Sequence, residues 1–167
     1  MTKQKVYPYS LQTDYSVCHV SDDMRTLQSI LPKVHPEYIA SFARVILCAN
    51  KLSPTNMFVM RWEMFDQYAA WLFSVLDECQ RRIDISSYSA VQVRIFGYMA
   101  ERLFNVWADY QRRRGAKVKR LPVVMFTDKP NTFGTLYHVF NTIAYLPYAL
   151  KSPLIFKRRV RQLERGK

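Results

Sequence analysis

Glycine is scarce in this 167-residue chain, with four in all. That argues against a fibrous or linker-like protein, since both lean on glycine. Cysteine is nearly as rare. Cys18, Cys48 and Cys79 are isolated, odd in number and without CxxC or Cys/His spacing. They read as reduced cytosolic thiols, two of them buried, rather than zinc ligands or a disulfide framework. No run of about 20 apolar residues exists to cross a bilayer. Met1 to Tyr9 lacks the apolar centre of a signal peptide. A Walker loop, GxSxG, HExxH and the dinucleotide glycine motif are all missing. His19, His35 and His138 lie far apart, so no Ser/His/Asp set follows from spacing. Acid is also short: 13 acidic against 25 basic residues leave a net charge of +12. Such an excess favours polyanionic partners without saying which.

What remains is apolar and aromatic, enough for one domain with a real core. Met1–Ser21 has no period and reads as extended or loop. Ser21-Asp22-Asp23 starts a helix with acids in its first turn; Pro32 ends it or starts a short turn. His35-Pro36-Glu37 opens a second, with Tyr38, Phe42, Val45 and Ile46 inside. Met57–Met60 is a short apolar run that suits a buried strand, though period alone leaves a helical turn open. The next helix places Trp62, Phe65, Ala69, Leu72, Phe73, Leu76 and Cys79 on one stripe. Another runs from Tyr88 or Ser89 to about Arg114, with Val91, Ile95, Tyr98, Met99, Leu103 and Val106 inside. Gly115 stops it. Leu121–Thr127 reads as a strand held to a sheet edge by Pro122.

From Asp128 the chain changes character. Aromatic and aliphatic residues lead into a basic finish: Lys151, Lys157, Arg158, Arg159, Arg161, Arg165 and Lys167 against Glu164 alone. Tyr and Phe settle at lipid headgroups while cations meet anionic lipid, so a membrane surface is one reading of this tail. Pro147 and Pro153 argue against a single long amphipathic helix. The basic run Arg112–Arg120 invites a nucleic-acid reading, but no binding module accompanies it.

Two constellations stand out. Arg94, Gly97 and Glu101 share one helix face. Gly97 inside a helix costs about 1 kcal/mol against Ala, so it wants a reason, such as close approach of a backbone or ligand. A helix-packing glycine between solvated charges explains the same pattern. Asn56 opens the Met57–Met60 run, where it either hydrogen-bonds a sugar hydroxyl or turns the local backbone.

The central stretch resembles a bacterial family of glycosyltransferases found in capsular and exopolysaccharide gene clusters, which carries a domain-of-unknown-function label. The resemblance rests on Asn50-Lys-Leu-x-Pro54-x-Asn56-Met-Phe-Val-Met60, on Phe65-Asp66-x-Tyr68-x-x-Trp71-Leu-Phe73 and on Arg82-Ile-Asp84. It continues through Tyr88 and Arg94-x-Phe96-Gly97-Tyr-x-x-Glu101-Arg102-Leu-Phe-Asn105-Val-Trp107, with Tyr15-x-x-x-His19 upstream.

The resemblance implies an α/β fold: a helix-rich part of a GT-A-like domain over 1–127, with a basic, aromatic C-terminal tail over 128–167. The first strand and a His-Tyr-Arg-Arg-type motif of the family are missing, so the chain corresponds to the C-terminal half of that domain. It implies transfer of a sugar from a nucleotide-sugar donor to a sugar or lipid-linked glycan acceptor, in capsule or exopolysaccharide synthesis. The place is the cytoplasm, peripheral at the inner face of the membrane. Glu101 becomes the catalytic base, with Asn56, Arg94, Gly97, Arg102 and His19 binding substrate. A divalent metal, Mn or Mg, belongs to many such enzymes, though no ligands for one are evident here. Further partners implied are an anionic membrane surface and a missing N-terminal half or a second copy. Nucleic acid is disfavoured. The alternative is a non-catalytic remnant that docks to a membrane or partner. Strand edges left open by a half-domain would make the chain prone to associate.

Overall fold

The computed structural model describes residues 1–123 and 134–165. The elements run β1 (Lys5–Val6), α1 (Leu11–Cys18), α2 (Ser21–Val34), a 3-10 turn at Pro36–Tyr38 and α3 (Ile39–Phe42). The last widens into a π-helical turn at Ala43–Leu47. Then follow β2 (Lys51–Leu52), α4 (Trp62–Gln80), a 3-10 turn at Gln92–Arg94, α5 (Ile95–Arg113) and α6 (Gly134–Arg165).

Helix dominates, as expected, but the sheet of an α/β domain does not appear among the described residues. What stands in its place is a two-residue antiparallel ribbon, Lys5 opposite Leu52 and Val6 opposite Lys51. One parallel bridge joins Thr2 to Leu121. Leu121 thus pairs as expected, while 124–127 of that strand lie outside the described residues. Met57–Met60 is not a strand. Its backbone finds no strand partner among the described residues, Val59 stands 98% exposed, and Phe58 stacks on Phe104 at 4.8 Å. An apolar run becomes a strand only where a neighbour takes its N–H and C=O groups.

Met1–Ser21 is not all loop either. Ser10 caps α1, its Oγ accepting from the Thr13 N–H at 3.2 Å, and Leu11 and Tyr15 are fully buried. Two apolar anchors four residues apart are too few to announce a helix by period. Helix α2 begins at Ser21 as the acids predict. However, Pro32 sits buried inside its last turn and the helix runs on to Val34.

The core lies between α2, α4 and α5. Helix α5 buries Ile95, Met99, Leu103 and Val106 completely. Val91, expected beside them, is exposed because regular α-helix begins only at Ile95. On α4 the inner face is Tyr68, Trp71, Leu72, Val75 and Cys79. Trp62 and Phe73, expected inside, are 74% and 59% exposed. An aromatic column sets this rotation. Trp71 stacks on Tyr38 at 4.5 Å, Tyr38 on Tyr110 at 4.1 Å, and Tyr68 meets Phe104 edge-on at 5.3 Å. Such pairs contribute about 0.5–1.5 kcal/mol each beyond their buried area. Cys48 and Cys79 are buried and Cys18 is exposed, in line with two core thiols.

Helix α6 is one continuous element through both Pro147 and Pro153, contrary to the expected break. Both prolines are exposed, so the carbonyls their rings leave unpaired can meet water. Its inner side closes the end of the π-turn. Tyr148 donates to the Leu47 carbonyl at 2.7 Å, and the Tyr145 hydroxyl donates to the Cys48 carbonyl. These are orphan acceptors at a helix C-terminus. Asn141 adds a bond to the Val6 carbonyl at 2.9 Å.

Candidate functional site

The first turns of α5 face the end of α1, and there three of the expected residues meet. His19 is the C-cap of α1; its ring stacks on Tyr98 at 4.2 Å and tilts against Tyr15 at 4.9 Å. Arg94 lies over the other partner of that stack, 5.7 Å from the Tyr98 ring centre. Arg102, one turn on from Tyr98, is buried over the Tyr15 ring at 4.8 Å. Its guanidinium donates to Asp14 at 2.8 Å and to the Tyr98 carbonyl at 3.2 Å. Asp14 and Tyr98 were not named as site residues. The i, i+4 pair Tyr15 and His19 was the available signal, and Asp14 is its neighbour.

The electrostatics follow from this enclosure. Burial pushes the Asp14 carboxyl up, and the adjacent Arg102 opposes that. Burial lowers His19, and the Arg102 charge lowers it further, so the imidazole is neutral at pH 7. Its Nδ1 is buried with no partner. Tyr7, pushed up to about 12 by burial, sits within the field of Asp14, Arg102 and Glu101. Glu101 itself is half-buried and forms no ion pair among the described residues.

Gly97 is exposed, and a Cβ built on it would meet nothing within 4 Å. Among the described residues, no other backbone makes the close approach expected there. Asn56 is placed elsewhere. It lies on the rim of an open trough of about 1520 Å³, whose walls include Met57, Met60, Met64, Phe104 and Trp107. Thr55 just before it holds φ at +60°, a left-handed conformation that costs a β-branched residue about 1–3 kcal/mol and fixes how Asn56 is presented. Asn105 ties this loop to the Glu101 turn. Its amide donates to the Ser53 and Glu101 carbonyls at 3.0 and 2.8 Å and accepts from the Ser53 N–H at 2.9 Å.

A second cavity of about 250 Å³ opens between the π-helical turn and the end of α5, lined by Arg44, Lys51, Asp109, Arg112 and Arg120. Burial pushes Asp109 up. Bonds from Arg112, Arg113 and Arg44 outweigh that and hold it below the usual carboxylate range. Arg112 and Arg120, the two ends of the basic run that invites a nucleic-acid reading, both line this pocket. No group of three or more His, Cys, Asp or Glu side chains that could hold a metal ion is found among the described residues.

A sequence profile of the domain of unknown function DUF4422 matches residues 1–112. Among solved structures, the chain is similar to the apo structure of the bifunctional glycosyltransferase WbbM, with 30% identity and a TM-score of 0.64 over 71% of this chain. The match spans 22% of that protein's length. No curated protein matches significantly.

Proposed function

The chain belongs to the DUF4422 family, and we propose that it forms part of a glycosyltransferase that moves a sugar from a nucleotide-sugar donor to a glycan acceptor. The observation that carries this reading is the likeness of most of the chain to a glycosyltransferase structure. Capsule or exopolysaccharide synthesis at the cytoplasmic face of a bacterial membrane is the setting proposed, with a GT-A-like parent fold.

Transfer breaks the bond from the anomeric carbon to the diphosphate and forms one to the acceptor oxygen. It needs positive charge where the diphosphate departs and a base where the acceptor loses its proton. Arg94 is exposed and unneutralised by any ion pair among the described residues, and supplies the first. Glu101 supplies the second. Arg102 acts through others: committed to Asp14, it holds α1 against α5 and with it the His19–Tyr98 stack. Asn56 contacts substrate from the trough.

The test is nucleoside-diphosphate release by this chain across a panel of nucleotide sugars and acceptors. Release above the uncatalysed rate is expected, and Glu101→Gln lowers it by about 100-fold or more, the usual worth of a general base. A variant within a few-fold of the parent ends the base assignment. No release with any donor favours the second reading, a non-catalytic remnant that docks through the unpartnered outer side of α6.

A further inference from the structure

Helix α6 has two working faces. One packs on the body through Asn141, Tyr145, Tyr148, Ile155, Phe156 and Leu163. The opposite face carries Leu136, Phe140, Ile143, Leu150 and Leu154, three and four residues apart or multiples of that, all on one side of the helix. These side chains are 64–78% exposed. The same line continues C-terminally as Lys157, Arg158, Arg161 and Arg165, with Lys151 beside it and Glu164 the one acid from 151 to 165. A single outward face thus runs from apolar to cationic along 32 residues, or about 48 Å.

From this we propose that the outer face of α6 is an interfacial anchor that lies on an anionic lipid bilayer. This is independent of the glycosyltransferase reading. The apolar stretch enters the boundary of headgroups and acyl chains, and the cations meet lipid phosphates. No described helix is long and apolar enough to cross a membrane, which fits a helix that lies in the surface plane. Charge favours lipid over a protein groove. A protein partner would need acidic groups in register with each cation, whereas an anionic leaflet supplies negative charge at every position. The aromatic ring of Phe140 beside the leucines suits the headgroup depth.

The test is co-sedimentation of the full chain with vesicles of phosphatidylcholine alone or with about a third phosphatidylglycerol. Binding is expected to the anionic vesicles and to weaken with salt. Phe140→Asp with Ile143→Asp should lower binding at least about tenfold. Each of Lys157→Gln, Arg158→Gln and Arg161→Gln should lower it about fivefold. Circular dichroism melts establish that the variants fold. Hydrogen exchange on the unsubstituted chain needs no variant: vesicles should protect α6 and leave α4 unchanged. The proposal is overturned by equal binding to neutral vesicles, by full binding in both variant sets, or by no new protection in α6. It is equally overturned if light scattering shows the face closed in a dimer that does not release to vesicles.

Discussion

His19, Asp14 and Arg102 form the best-defined group of interactions in the candidate site, and their chemistry is set by enclosure. Arg102 has almost no access to water, so its charge needs Asp14. His19 beside it has a folded pKa below its usual value because of burial and the Arg102 charge, with Gln92 and Asp14 opposing. In the window just below pH 6.5 the unfolded chain therefore binds more protons at this position than the folded one. Stability should rise with pH there and fall on acidification. Thermal melts from pH 7 to pH 5.5 should show a declining midpoint, and His19→Gln should flatten the decline. An identical pH slope in the variant would contradict the account. Asp14, raised by burial, acts with the opposite sign, which is why the comparison with the variant is the informative one.

At the scale of elements, α5 was the most legible. Its inner residues from Ile95 to Val106 are those the helical period picks out, since each turn meets the same buried neighbours. The face of α4 was misread because aromatic residues occur all round it: Trp62 and Phe73 look as apolar as Tyr68 and Trp71, and only the stack with Tyr38 decides between them. Strands were over-predicted for a related reason. Met57–Met60 has the composition of a strand, but pairing is a long-range property that four residues do not encode. Pro147 and Pro153 misled in the other direction, since exposure of the affected carbonyls makes them tolerable inside α6. Gly97 has a sharper test. With open space around it, Gly97→Ala should raise stability by about 0.5–1 kcal/mol through helix propensity alone. Chemical denaturation measures this directly. A loss of stability would mean that something approaches the backbone after all.

For the molecule as a whole, charge and family were readable and the site was only half so. The motif residues on α1 and α5 converge because two helices bring Tyr15, His19, Arg94 and Arg102 together. Asn56 falls on a separate trough, and the cavity around Asp109 brings Arg44 together with residues near the end of α5, a distance in sequence that spacing cannot bridge. The account's central claim is that this chain holds part of a nucleotide-sugar site. The measurement that tests it most directly is thermal melting with a panel of nucleoside diphosphates and nucleotide sugars. A ligand at about 100 times its dissociation constant adds about 2.7 kcal/mol, or about 5–10 °C for a domain of this size. The account predicts such a shift for one nucleotide class. A cooperative melt whose midpoint no nucleotide moves would contradict it.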